Sequence, residues 1–172
     1  QAKIDAFGAS DKDLAVSYNM LARVQLSLKD YSAAETSARN AMRLRTALLG
    51  ENDLLTIQTL ELLATITEVD RDLTQAVIMR GMIYGKLLEK VGRNHPATLN
   101  AQFNYGLLGL KSGDRAGAID ASRAFEEILS VKSRQLTSNH PDLLEYYNAL
   151  AASRLAANEI GKPNLRGLQR KE

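Results

Sequence analysis

His95 and His140 are the only histidines in the chain, and each stands immediately before a proline. Imidazole is the side chain best suited to act as base or metal ligand near neutral pH, so this pair is the first place to look for chemistry. Their spacing argues against it. The two occupy equivalent points of a repeated pattern, 45 positions apart, and points about one repeat apart cannot converge on one metal ion. A polar residue capping a helix whose first turn is opened by Pro96 or Pro141 suits them better. The chain has no cysteine, hence no disulfide framework and no thiolate metal site. Gly106, Gly109 and Gly113 lack the spacing and the Lys-Ser/Thr ending of a phosphate-binding loop. Carboxylates sit singly on polar helix faces, and no serine or threonine has a companion histidine at a usable spacing. These patterns point to no enzyme activity, no metal and no cofactor.

The elements that hold these residues are helical throughout. Leu14, Tyr18, Leu21, Gln25 and Leu28 step along one helix face with Ala22 beside them, and Lys29-Asp30 breaks the run. A second helix carries Tyr31, Ala34, Ala38, Ala41, Leu44 and Leu48 and stops at Gly50, where glycine readily adopts the left-handed backbone. The same reasoning predicts helices over about 53–69 and 72–91 ahead of Gly92, a fifth opened by Pro96 that carries Leu99, Phe103, Gly106, Leu107 and Leu110, and two more over about 115–136 and 141–158. No strand-like alternation interrupts them. Asn52 and Asn94 are 42 positions apart, and that offset also carries Ala22 onto Ala64 and Gly106, Ala34 onto Ala76 and Ala118, and Asp30 onto Asp72 and Asp114. A period of this size built from two helices means a solenoid whose units cannot bury their apolar faces alone. The small residues mark helix crossings, where axes roughly 8–10 Å apart leave no room for larger side chains.

These positions, with Tyr31-Ser32-Ala33-Ala34-Glu35 and the linkers Leu49-Gly50-Glu51-Asn52-Asp53, Asn94-His95-Pro96 and Asn139-His140-Pro141, resemble tetratricopeptide repeats of the longer kinesin light chain variety. The resemblance covers about 11–158. It implies an all-α fold, a right-handed α-α superhelix (solenoid) of three helix pairs plus a terminal helix. The repeats fall at about 11–51, 53–93 and 95–138, with the terminal helix at 141–158. Residues 1–10 are expected to be an N-terminal segment ending a preceding helix, and 159–172 a disordered basic tail. Asp53 departs from the pattern by replacing histidine. Gly106 and Gly109 also depart, and at about 1 kcal/mol each against alanine they make the fifth helix the expected place for a bend.

In the resembling proteins the concave wall, lined by the first helix of each pair, binds peptides or a partner's helix. Counting from the small residue of each repeat, the inward positions here are Asn19, Arg23, Glu61, Glu68, Asn100, Phe103, Lys111 and Asn148. Amides such as Asn19 and Asn148 can both donate to and accept from a peptide backbone. Arg23 and Lys111 suit acidic groups, Glu61 and Glu68 basic ones, and Phe103 an apolar contact. The wall lacks the paired asparagines and lysines of chaperone-tail clamps, which speaks against recognition of a C-terminal carboxylate there. The function expected is a protein- or peptide-binding scaffold module of a larger protein. One alternative is a regulatory sensor that changes curvature at Gly106/Gly109 on binding a small ligand or signalling peptide. Another is self-assembly, as a homodimer through the terminal helix, which presents Leu143, Leu144, Tyr147, Leu150, Ala151 and Leu155 with no second helix following to pair with it.

Composition narrows the remaining classes. Formal net charge is +2, with 45% apolar and 24% charged residues, ordinary for a globular domain. No basic face suggests nucleic-acid binding, and no apolar run reaches the roughly 18 residues of a membrane span. The start has neither Met nor a signal peptide's apolar stretch. The expectation is therefore a fragment or processed form, cytoplasmic by default, although a removed signal peptide would leave no trace.

Overall fold

The structure, a computed structural model, describes residues 2–70, 72–136 and 140–159, with side-chain surroundings from 11 onward except 142 and 159. Of the tail expected over 159–172, Glu159 closes the last helix and the remainder, like the linker residue Asn139, lies outside the described residues. The described residues form seven helices and no strand: α1 (Ala2–Ser27), α2 (Tyr31–Leu49), α3 (Leu54–Val69), α4 (Leu73–Val91), α5 (Pro96–Lys111), α6 (Arg115–Gln135) and α7 (Pro141–Glu159). They fall into two compact units, Gln1–Val91 and Gly92–Glu172. α1 runs unbroken from Ala2, so residues 2–10 begin the first helix rather than end an earlier one.

Local chemistry fixes the helix ends. Asp30, Asp72 and Asp114 each accept an amide three residues ahead, from Ala33, Gln75 and Gly117, which supplies a partner for a first-turn N–H that the helix leaves unpaired. Asp53 and His95, also 42 positions apart, cap α3 and α5 by accepting from Leu55 and Ala97. The aspartate that departs from the histidine pattern therefore does the histidine's work. Gly50 and Gly92 end α2 and α4 at φ of +88° and +86°, and a Cβ at either would meet nothing within 4 Å. They are glycine for backbone conformation, not for space.

In the first unit, α2 lies along α1, α3 along α2, and α4 along α3. Ala22, Ala34, Ala38, Ala41, Ala64 and Ala76 are fully buried, so helix pairs cross through alanines as the small-residue register requires. One expectation changes here. Leu14, Leu21 and Leu28 do not face the core, which on α1 is built from Ala15 and Ala22; all three leucines are exposed. Close approach of α2 selects the alanine side of α1, and the leucines turn to the opposite arc.

The second unit packs α6 between α5 and α7 around Leu99, Phe103, Ala121, Phe125, Ile128, Leu143 and Leu150. Gly106 and Gly109 of α5 stand at close contacts with α6. A Cβ at Gly106 would meet the Phe125 ring at 2.8 Å, and one at Gly109 would meet the Gly117 carbonyl oxygen at 3.3 Å. α5 stays helical through both positions. The extra glycines let α5 and α6 approach closely.

Candidate binding surface

Asn19 and Arg23 lie one turn apart on α1, the amide half-buried and the guanidinium exposed. Glu61 and Glu68 stand on α3, which touches both α1 and α4. They differ in what this chain already gives them. Arg80 of α4 reaches Glu68 at 3.5 Å and donates from Nη2 to the Thr65 hydroxyl at 3.1 Å, so Glu68 is held by an internal cation. Glu61 is half-buried, and desolvation pushes its carboxyl above the ordinary range, opposed only in part by the charge of Arg80.

In the second unit, Asn100 and Lys111 are exposed on α5 and Asn148 is exposed on α7. Phe103 is elsewhere. It is 6% exposed, with its ring 5.3 Å from Phe125 and 5.0 Å, edge-on, from Tyr146. It belongs to the core of α5, α6 and α7 and offers no surface to a partner. Its register position is that of Asn19 and Glu61, but here Tyr146 of α7 covers it.

Two polar features escaped the sequence reading. Gln102 is buried on α5 and donates to Glu127 of α6 at 2.8 Å, and Glu127 also receives Arg93 at 2.9 Å. Arg45 of α2 is 7% exposed and donates from Nη1 to the Leu55 carbonyl at 2.6 Å and the Thr59 hydroxyl at 2.7 Å. A signal for Arg45 existed. It continues the spacing Ala34, Ala38, Ala41 toward Leu48, a charge standing in an otherwise apolar stripe. Nothing in the spacing around Gln102 distinguishes it from a surface amide.

Among the described residues no group of three or more His, Cys, Asp and Glu side chains is arranged to hold a metal, and no helix is long and apolar enough to cross a membrane. What the exposed set offers is hydrogen bonding and charge at separate points along first helices.

No protein family and no curated protein matches the sequence. Solved structures do match. BtubC (BKLC) from P. vanneervenii aligns with a TM-score of 0.72 at 17% identity, over 86% of this chain and 57% of that one. The nearly identical TPR-like repeats of a Podosopora anserina protein assigned as a kinesin light chain align with a TM-score of 0.71 at 18% identity, over 87% and 69%. This chain thus spans 57% of the length of BtubC. The fold is that of TPR-like helical repeats.

Proposed function

We propose that this chain is a protein- or peptide-binding scaffold module whose first helices carry the recognition groups. The observation behind this reading is the half-buried, under-compensated Glu61 on α3, in a unit that also presents Asn19 and Arg23 on α1. A partner segment with a cationic group would complete the compensation that Arg80 leaves partial. Acidic groups of the partner suit Arg23 and, in the second unit, Lys111. Phe103 drops out of the surface because it is core, and Glu68 because Arg80 holds it.

The test compares the chain with Arg23→Glu/Lys111→Glu for capture of a partner from native lysate. Weakened capture with unchanged helicity supports the assignment, and undiminished capture sinks it. Glu61 supplies a second readout through its titration. Its folded pKa is raised, so its contribution to stability is full below the unfolded value and is lost as pH rises through the folded one. Glu61→Gln should flatten that part of the stability profile, and a bound cationic partner should shift it toward lower pH. An unaltered profile in both cases would remove Glu61 from the site.

A second reading is favoured by α7, where Leu144, Tyr147 and Leu155 are exposed while Leu143 and Leu150 are buried. It is self-assembly through that helix. Light scattering decides it: a mass that stays monomeric across concentrations rules the reading out.

A further inference from the structure

Three exposed apolar side chains in the first unit, Val16, Leu49 and Leu55, are not scattered. With Leu48 they wall one open cavity of about 260 Å³, which Arg45 also lines and Lys12 borders. Single apolar residues on a surface need no explanation; several converging on a buried cation do. Arg45 is held there by Nη1 alone, through the Leu55 carbonyl and the Thr59 hydroxyl. Among the described residues no carboxylate reaches ion-pair distance of it. Asp53 acts on it only through space, its carboxylate being used to cap α3 at Leu55. Among the described residues the Nε–Nη2 edge meets no hydrogen-bond acceptor. That edge is the planar pair of donors that matches the two oxygens of a carboxylate.

We propose that this cavity binds a small free carboxylic acid with an unbranched apolar chain, its carboxylate on the Nε–Nη2 edge of Arg45 and its chain against Leu48, Leu49 and Leu55. The size suits this class, because drug-sized ligands occupy about 300–1,000 Å³ and this space is smaller. The charge suits it as well. The one buried guanidinium balances a monoanion, whereas a phosphate dianion would be left short of donors among apolar walls. Anchoring through Nη1 fixes the guanidinium before the ligand arrives, which lowers the cost of ordering it. Burial pulls the Arg45 pKa below its ordinary value, with Asp53 opposing; the charge of a bound carboxylate would offset that burial cost. The site shares no residue with the proposed partner surface, so either can fail alone.

The experiment is calorimetric titration of the whole chain with octanoate, with octan-1-ol as the uncharged control. Octanoate should bind at least tenfold more tightly than the alcohol. Arg45→Met, which keeps the apolar stem, should lose that preference, and Leu49→Trp, which fills the cavity from an exposed position, should abolish binding with helicity intact. A chain-length series from butanoate to decanoate on the unaltered protein should gain affinity and then level off once the cavity is full. Equal binding of octanoate and octanol, octanoate binding unchanged by Leu49→Trp, or no dependence on chain length would each overturn the assignment.

Discussion

α1 and α3 are the same helix in successive repeats, yet they end in different surroundings. Moving 42 positions along the chain carries Leu14, Ser17, Leu21 and Val24 onto Thr56, Thr59, Leu63 and Ile66. On α3 this stripe is buried, with Leu63 3% and Ile66 1% exposed, whereas Leu21 is 45% and Val24 55% exposed. The difference is not in the residues, for α1 is the more apolar of the two along this stripe. It lies in the neighbour. α2 packs against α3 and reaches the stripe through the Arg45–Thr59 hydrogen bond, while no helix among those described plays that part for α1. In a repeat array each first helix depends on the second helix before it, and a side chain's burial is a property of that pairing.

The largest test of this comparison is a pair of truncations. Leu63→Ala should cost about 2–5 kcal/mol, the range for a buried leucine left as a cavity, and Leu21→Ala should stay within about 0.5 kcal/mol. Urea midpoints for both variants measure it. A cost at Leu21 approaching that at Leu63 would mean that the α1 face is covered in solution, and repeating the measurement at tenfold lower protein concentration would show whether a second copy covers it.

How much of this was legible from residues alone divides along the same line. Features set by the chain's own next few residues were readable: the capping aspartates, the stops at Gly50 and Gly92, Pro96 at the start of α5, and the alanines at crossings. Features set by a distant neighbour were not. Leu14, Leu21 and Leu28 have the spacing of a core face, and only the choice of α2 to approach Ala15 and Ala22 turns them outward. Phe103 shares a register with Asn19 and Glu61, and Tyr146, more than forty residues later, decides its burial. The surface residues were legible as positions, but their electrostatics were not, since Arg80 distinguishes Glu68 from Glu61 only across the α3–α4 contact.

A second test concerns how closely each pair crosses. Position 117 aligns with Gln75 and Ala33 in the earlier repeats, but a Cβ at Gly117 would collide with the Gly109 carbonyl oxygen and lie 2.8 Å from the Ser112 hydroxyl oxygen. Backbone cannot step aside as a flexible side chain can. Gly117→Ala should therefore destabilise by about 1–3 kcal/mol, although alanine is the better helix former. Gly85, with nothing within 4 Å, is the control, and Gly85→Ala should stabilise by up to about 1 kcal/mol. Thermal midpoints that moved in the same direction for both would show the α5–α6 approach to be looser than described.

Smaller again is the effect at the end of α1. Lys29 holds φ of +63° where the third repeat has Gly113 at +76°. The hydrogen bonds from Lys29 to Leu26 and from Asp30 to Gln25 form the paired pattern that closes a helix through a left-handed residue. Lysine bears a steric cost there that glycine avoids, partly offset by glycine's greater freedom when unfolded. Lys29→Gly should gain about 0.5–1 kcal/mol, read as a raised urea midpoint; a lowered one would mean that the lysine side chain contributes something beyond the turn.

The finest distinction is between the caps themselves. Asp30 accepts one amide, from Ala33 at 3.1 Å. Asp114 accepts the Gly117 amide at 2.6 Å and the Ser112 hydroxyl at 2.8 Å. Those bonds favour the charged form, the Gly117 amide most, and hold the Asp114 carboxyl below its ordinary value. A depressed folded pKa means stability that is present above the unfolded value, about 4 for Asp, and lost as pH falls through the folded one. Asp114→Asn should therefore lower stability at neutral pH and flatten its acid limb. Ser112→Ala should move that limb toward higher pH while leaving the Gly117 bond in place. Urea midpoints for the three proteins between about pH 2 and pH 6 would resolve this. If Ser112→Ala leaves the limb where it was, the hydroxyl spends its proton on the Gly109 carbonyl, which it also reaches at 2.6 Å, and the extra hold on Asp114 comes from the backbone alone.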